Sequence, residues 1–253
     1  KKNAVQLAKR AAARVENEML RQQSNRESIV RRAADLLPED VSDESVENDW
    51  VAQFFEQCQN VSDSEMQLLW AKILAGEIAR TGRFSRRTLH AVNVLDKKDA
   101  NLFTNYCKFV WTLDQDLRPS FFFSTEVHGG ILSPDQMLEI DRIYSSEGIT
   151  RAGQVHLQAL NLVSGAGHFS IKINWTLTEP AIFHYHDRTF AVFDTPERRK
   201  VAPQVGPTIV ADYLTDIGCE LAPIAGGTDH DRYCEMVIDS LKRCQLRVEA
   251  RSR

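Results

Sequence analysis

The sequence predicts an α+β chain, mainly α, with a helical front half followed by a winged-helix-like back half. Three observations predict it. Apolar residues recur at three- and four-residue steps through the first 113 positions, the period of helices with one covered face. Two stretches of alternating apolar residues come only later, around 169–173 and 183–193, the period of half-covered strands. Helical patterns precede and follow those strands, which mixes the two element types in one domain. The boundaries read as a basic amphipathic helix over 1–36, a helical domain over 37–113 and a winged-helix-like α+β domain over 114–253.

The totals bound the class. With 253 residues, 43% of them apolar and 26% charged, a packed core is within reach and disorder is not the default. A net charge of −4 argues against a uniformly nucleic-acid-coating protein and leaves room for a local basic face. The five cysteines are odd in number and form no C-x-x-C pair, so they read as reduced core or half-buried thiols of a cytoplasmic protein. No apolar run reaches membrane-spanning length, and no signal peptide is present. The chain begins at Lys1 without methionine and in mid-pattern, and reads as a fragment or processed form.

The first helix is basic: residues 1–32 hold nine Lys or Arg against three Glu. Val5, Ala8, Ala12, Val15 and Met19 alternate steps of three and four, the seam of a coiled coil or of a helix laid in a groove. The simplest reading is a long helix packed on its own domain. The sharper one is self-association, or contact with nucleic acid or lipid through the basic face. The charge then reverses: ten acidic residues and no Lys or Arg lie between Ala33 and Ala71, with an acidic linker over 38–48.

The next helices follow from their apolar faces. Trp50, Val51, Phe54, Phe55 and Cys58 share one side of a short helix. Ser62 and Glu65 read as a capping box for a helix carrying Met66, Leu69, Trp70, Ile73, Leu74 and Ile78, which ends at Thr81-Gly82. Ser85 caps a helix with Leu89, Val92 and Leu95 inside. Asp96 opens another, in which Phe103, Tyr106, Cys107, Val110 and Trp111 are expected to be buried together. Gln67 and Trp70 read as packing residues, and Glu77 as half of an ion pair with Arg86 or Arg87.

The words Asn48-Asp49-Trp50, Val61-Ser62-Asp63, Met66-Gln67, the run from Trp70 to Glu77, and Phe84-Ser85-Arg86-Arg87-Thr88-Leu89 resemble a bacterial family known as domain of unknown function 2806. The resemblance covers most of the chain and is densest over 48–109. It implies no reaction. Related helical proteins are associated with phage resistance, and the resemblance implies the same role. The family often has Pro before the glycine at position 82, where this chain has Thr81, a difference that bears on turn type alone.

In the back half, Phe121-Phe122-Phe123 reads as a short buried strand or connector, and Gly129-Gly130 as a joint. Ser133-Pro134 starts a helix, with Met137, Ile140 and Tyr144 inside and Gly148 at its end. Residues 154–163 form a second helix passing into a wing. Strands with Phe169, Ile171 and Ile173, then Phe183 and Tyr185, then Phe190 and Val192 follow, with a turn at His186-Asp187-Arg188. Residues 195–207 read as a loop. A strand ends at Leu214 before a helix capped by Thr215, a helix covers 229–244, and 246–250 add an edge strand.

No G-x-x-x-x-G-K-[ST], G-x-S-x-G or H-E-x-x-H word is present. His184 and His186, two apart on a strand, share a face, but a structural zinc site needs four ligands and the others cannot be named. Asp229-His230-Asp231 reads as a helix cap, and the cysteines have no assignable base. No cofactor is called for. The reading is a non-enzymatic interaction or regulatory protein of bacteria, acting in phage defence through a protein partner or as a homo-oligomer. The alternative is a DNA-binding winged-helix regulator, with nucleic acid as partner. Candidate contact residues are Arg10, Arg14 and Arg21 on the first helix, Arg83, Arg86 and Arg87 around a turn, and Arg151, Gln154 and Gln158 at the would-be reading helix. Protein contact ranks above DNA contact, because that helix lacks the several Lys and Arg that phosphate binding requires.

Overall fold

The computed structural model describes residues 2–114, 120–123, 134–164, 169–172, 177–201 and 208–251. It is α+β and mainly α, and divides into two units, Lys1–Lys97 and Lys98–Arg253.

The first unit holds four helices: α1 (Lys2–Asp35), α2 (Asn48–Cys58), α3 (Ser64–Ala79) and α4 (Arg86–Asn93). α3 is its centre, with Met66, Gln67, Trp70, Ala71, Ile73, Leu74, Ala75, Gly76 and Glu77 all buried. Asp63 caps this helix, accepting from the amides of Glu65 and Met66 at 2.9 and 3.1 Å. The expected Ser62 box is therefore corrected: the Ser62 hydroxyl accepts from Asn25 Nδ2 instead. Gly82 takes the left-handed conformation expected of it, and Ser85 caps α4 through the Thr88 amide. Glu77 is not half of an ion pair with an arginine. Its buried carboxylate accepts from the Gly82 amide at 2.6 Å and the Phe84 amide at 2.8 Å, holding the turn from α3 to α4. Arg86 stands 3.9 Å from Asp49.

The second unit begins with α5 (Lys97–Cys107) and continues with β1 (Val110–Leu113), β2 (Ser120–Phe123), α6 (Pro134–Ser146), α7 (Arg151–Ala159), β3 (Phe169–Lys172), β4 (Ala181–Tyr185), β5 (Arg188–Phe193), α8 (Pro196–Val201), β6 (Thr208–Tyr213), α9 (Asp216–Ala225), α10 (Asp231–Arg243) and β7 (Arg247–Arg251). The strands form one seven-stranded sheet in the order β3-β6-β2-β1-β4-β5-β7, and every described pairing is antiparallel. A wing is a hairpin of two or three strands; this larger sheet does not establish a winged-helix arrangement.

Several elements differ in detail from their sequence pattern. Val110 and Trp111 leave the helix and enter β1, because the run Val110–Leu113 pairs with β2 and β4. α7 stops at Ala159; Asn161 turns with φ +57°, and Leu162 and Val163 are buried beyond that turn, Val163 bridging to Leu214. Residues 196–201 are a helix rather than loop: Thr195 Oγ1 accepts from the Arg198 amide, and Pro196 sits at the first position, which needs no N–H. Thr215 caps α9 and β7 lies at the sheet edge, as expected. Gly129, Gly130, Ser133 and Ile173 lie outside the described residues.

An aromatic cluster forms the second unit's core. Trp111 stacks on Tyr185 at 4.7 Å, and Phe109 meets Tyr144 and Tyr233 edge-on at 4.9 and 5.0 Å. Each buried hydroxyl needs a partner. Tyr185 donates to the Lys108 carbonyl at 2.7 Å, and Tyr233 to that of Phe109 at 3.2 Å. Gly218 is pressed so close to the Leu162 carbonyl that a Cβ there would stand 2.1 Å from its oxygen.

Candidate interaction surface

α1 is 34 residues long, about 51 Å at 1.5 Å per residue. Its two ends differ in surroundings. Asn25, Ile29 and Ala33 are buried, the last two at 0% and 1% exposure. Polar groups fasten this end to the rest of the first unit. Gln67 Oε1 accepts from Ser28 Oγ at 2.9 Å, while Gln67 Nε2 donates to Asn25 Oδ1 and to the Val61 carbonyl. Asn25 Nδ2 donates to the Gln59 carbonyl, and Arg26 to Gln59 Oε1 at 2.6 Å.

The other end has no such cover. Every residue from 3 to 20 is exposed, including Val5 at 57% and Met19 at 64%. The simplest expectation, a helix packed along its own domain, fails over this stretch. The helix persists there because its residues favour it: Ala4, Ala8, Ala11, Ala12 and Ala13 stand among Lys, Arg, Glu, Gln, Leu and Met, all strong helix formers. It also grows from an anchored end, which removes the cost of starting a helix.

The seam keeps one register throughout. Val5, Ala12, Met19, Arg26 and Ala33 are seven apart, as are Ala8, Val15, Gln22 and Ile29. These are the two core rows of a heptad, covered at the C-terminal end and bare at the N-terminal end. Beside the covered end, α1 and α2 enclose an open groove of about 690 Å³, with Val30, Ala52 and Phe55 as its apolar lining and Arg26, Arg31, Glu27 and Glu56 around it.

The candidate contact residues fall into three groups. Arg10, Arg14 and Arg21 share the strip of α1 turned away from the seam, all exposed. Arg83 lies over the Phe84 ring at 5.3 Å, while Arg86 and Arg87 are exposed in the first turn of α4. Arg151, Gln154 and Gln158 share one side of α7; Arg151 is exposed and the two glutamines are half-buried. His156 on the same helix bonds Asp99 at 2.6 Å. The groove on α2, with Phe55 at its side, escaped the sequence reading: Phe55 there is one more apolar residue on a helical face.

The histidine pair does not share a face. His184 lies on β4 between Thr189 Oγ1 and Asp114 Oδ1, at 3.0 and 2.9 Å. His186 has turned into the hairpin with φ +53° and bonds the Lys108 carbonyl at 3.1 Å. His230 caps α10 through the Tyr233 amide, as expected, and the flanking Asp229 and Asp231 both receive Arg188. His128 and His168 lie outside the described residues. Among the described residues, no group of three or more His, Cys, Asp or Glu is placed to hold a metal ion. None of the five cysteines is in a disulfide, and Cys58, Cys107 and Cys234 are buried. Burial pushes the Cys58 thiol up to about 12 and that of Cys234 up to about 11, the reverse of an activated nucleophile. No described helix is long and apolar enough to cross a membrane.

These features define an α+β protein, mainly helical, that presents a bare amphipathic helix of basic character. The chain belongs to DUF2806, described as a protein of unknown function, whose pattern matches residues 9–238. No curated protein and no solved structure matches it.

Proposed function

We propose that this chain is a non-enzymatic interaction protein of the bacterial cytoplasm, a phage-defence component that works by binding a protein partner or another copy of itself. The observation that carries the reading is the bare seam of α1: an ordered apolar row over residues 3–20 that its own unit leaves in water. Apolar side chains scattered singly need no explanation, but a row in register is what a partner helix covers. The raised thiols of Cys58 and Cys234 and the occupied rings of His184 and His186 support a contact role over a chemical one.

The test replaces Val15 and Met19 together with glutamate. Self-association by light scattering, or capture of a protein partner by the intact chain, is expected to be lost while the thermal unfolding midpoint stays unchanged. Equal association and capture by both proteins would end the reading. Nucleic-acid contact is a second reading, favoured by the shared strip of Arg10, Arg14 and Arg21. It requires a mobility shift that weakens with salt and with substitution of those three arginines.

A further inference from the structure

We propose that the occupant of the bare seam is a second copy of the same helix, lying antiparallel to the first; this rests on the interaction reading above and names its partner. Two independent features of the seam choose that arrangement.

The first is size. In a parallel pair each core residue meets its own copy, so Ala8 would face Ala8 and Ala12 would face Ala12. Two successive layers of methyl against methyl would then sit next to the bulkier Val15 and Met19 layers, and one interhelical distance could not satisfy both. Reversing one helix pairs Ala8 with the second copy's Met19, Ala12 with Val15, and Val5 with Gln22. Each alanine then meets a larger side chain, and every layer has a similar width.

The second is charge. Next to the core rows stand Lys9, Glu16 and Gln23 on one flank, and Ala4, Ala11 and Glu18 on the other. A parallel pair joins opposite flanks: Lys9 would face Ala4, Glu16 would face Ala11, and Glu18 would face Gln23, with no ion pair. The antiparallel alignment that matches the layers also sets Lys9 beside Glu16 of the second copy, twice by symmetry. Arg10, Arg14 and Arg21 remain on the outside, in water, where their charges are screened. The uncovered stretch of 18 residues spans about 27 Å, enough for the five apolar seam positions to be covered at once.

The experiment uses the full chain in light scattering and sedimentation from low to high micromolar concentration. Lys9→Glu and Glu16→Lys are each expected to weaken dimerisation about tenfold, and the double variant to restore it, because the pair is only inverted. Mixing Ala8→Cys chains with Met19→Cys chains is expected to give the mixed disulfide. Dimers indifferent to both charge variants, or Ala8→Cys chains that link to themselves, would overturn the antiparallel arrangement. A chain that is monomeric at about 100 µM overturns self-pairing altogether. The interaction reading then stands only if partner capture still depends on Val15 and Met19, so the two failures are told apart.

Discussion

From Asn25 to Ala33, α1 is held by its neighbours; from Asn3 to Leu20, the same helix in the same register stands in water. The covered end carries residues that are useless alone, such as Asn25, whose amide lowers helix propensity and is satisfied by Gln67, the Gln59 carbonyl and the Ser62 hydroxyl. The bare end carries residues that need no neighbour to be helical. One end is specified by tertiary contact and the other by local preference. A single regular element thus conceals two kinds of stability.

The contrast can be broken at either end. The largest effect is expected from Ile29→Ala, which empties a fully buried position: about 2–4 kcal/mol by urea unfolding. Gln67→Ala follows. It strips partners from Asn25, Ser28 and the Val61 carbonyl at once, for about 1–3 kcal/mol. Ala12→Gly should cost about 1 kcal/mol of local helix yet leave the global unfolding free energy within about 0.5 kcal/mol. Amide exchange would show it as faster exchange over residues 3–20 alone. The smallest effect is in acid. The Met66 amide, with that of Glu65 and the charge of Lys97, holds the Asp63 carboxyl below the usual carboxylate range. A lowered folded value means the contribution is complete above about pH 4 and fades as pH falls through the folded value. Asp63→Asn, which keeps the cap without the charge, should flatten that part of the urea-midpoint profile.

What the sequence disclosed follows the same division. Local signals were legible: Ser85, Thr215 and His230 cap where expected, Gly82 turns the chain, and the strand ending at Leu214 stands in place. The cap of α3 fell one residue past the expected Ser62, at Asp63, while the Ser62 hydroxyl is taken up by Asn25 from a distant part of the chain. Thr195-Pro196 carried a helix-start signal, hidden in a stretch rich in charge. Glu77 had no local signal. A carboxylate on an apolar face suggests an arginine partner, but here the turn folds two backbone amides back onto it, five and seven residues on. Val110 and Trp111 continued a helical period and became strand, because apolar residues in a short run fit both periods and distant pairing decided. The order of the seven strands was illegible for the same reason: β6 joins β2 and β3 across long stretches of chain. As for the interaction surface, the spacing of Val5 to Met19 gave the seam, but only the fold shows which end of the helix is bare.

The clamp on Phe84 has a consequence for how proteases meet the first unit. The Phe84 amide is held by Glu77, its carbonyl receives Trp50 Nε1 at 2.7 Å, and its ring stands against Gly76. Arg80, Arg83, Arg86 and Arg87 cluster about this turn and would each suit trypsin, yet cleavage requires a stretch of backbone to be drawn out into an extended form. Here that means unfastening α2, α3 and α4 together. Among the arginines of the first unit, trypsin is expected to cut first after Arg10, Arg14 and Arg21 of the unpaired chain, where opening costs a few helical turns. A brief digest should therefore trim the chain from its basic end and leave the arginine-rich turn intact.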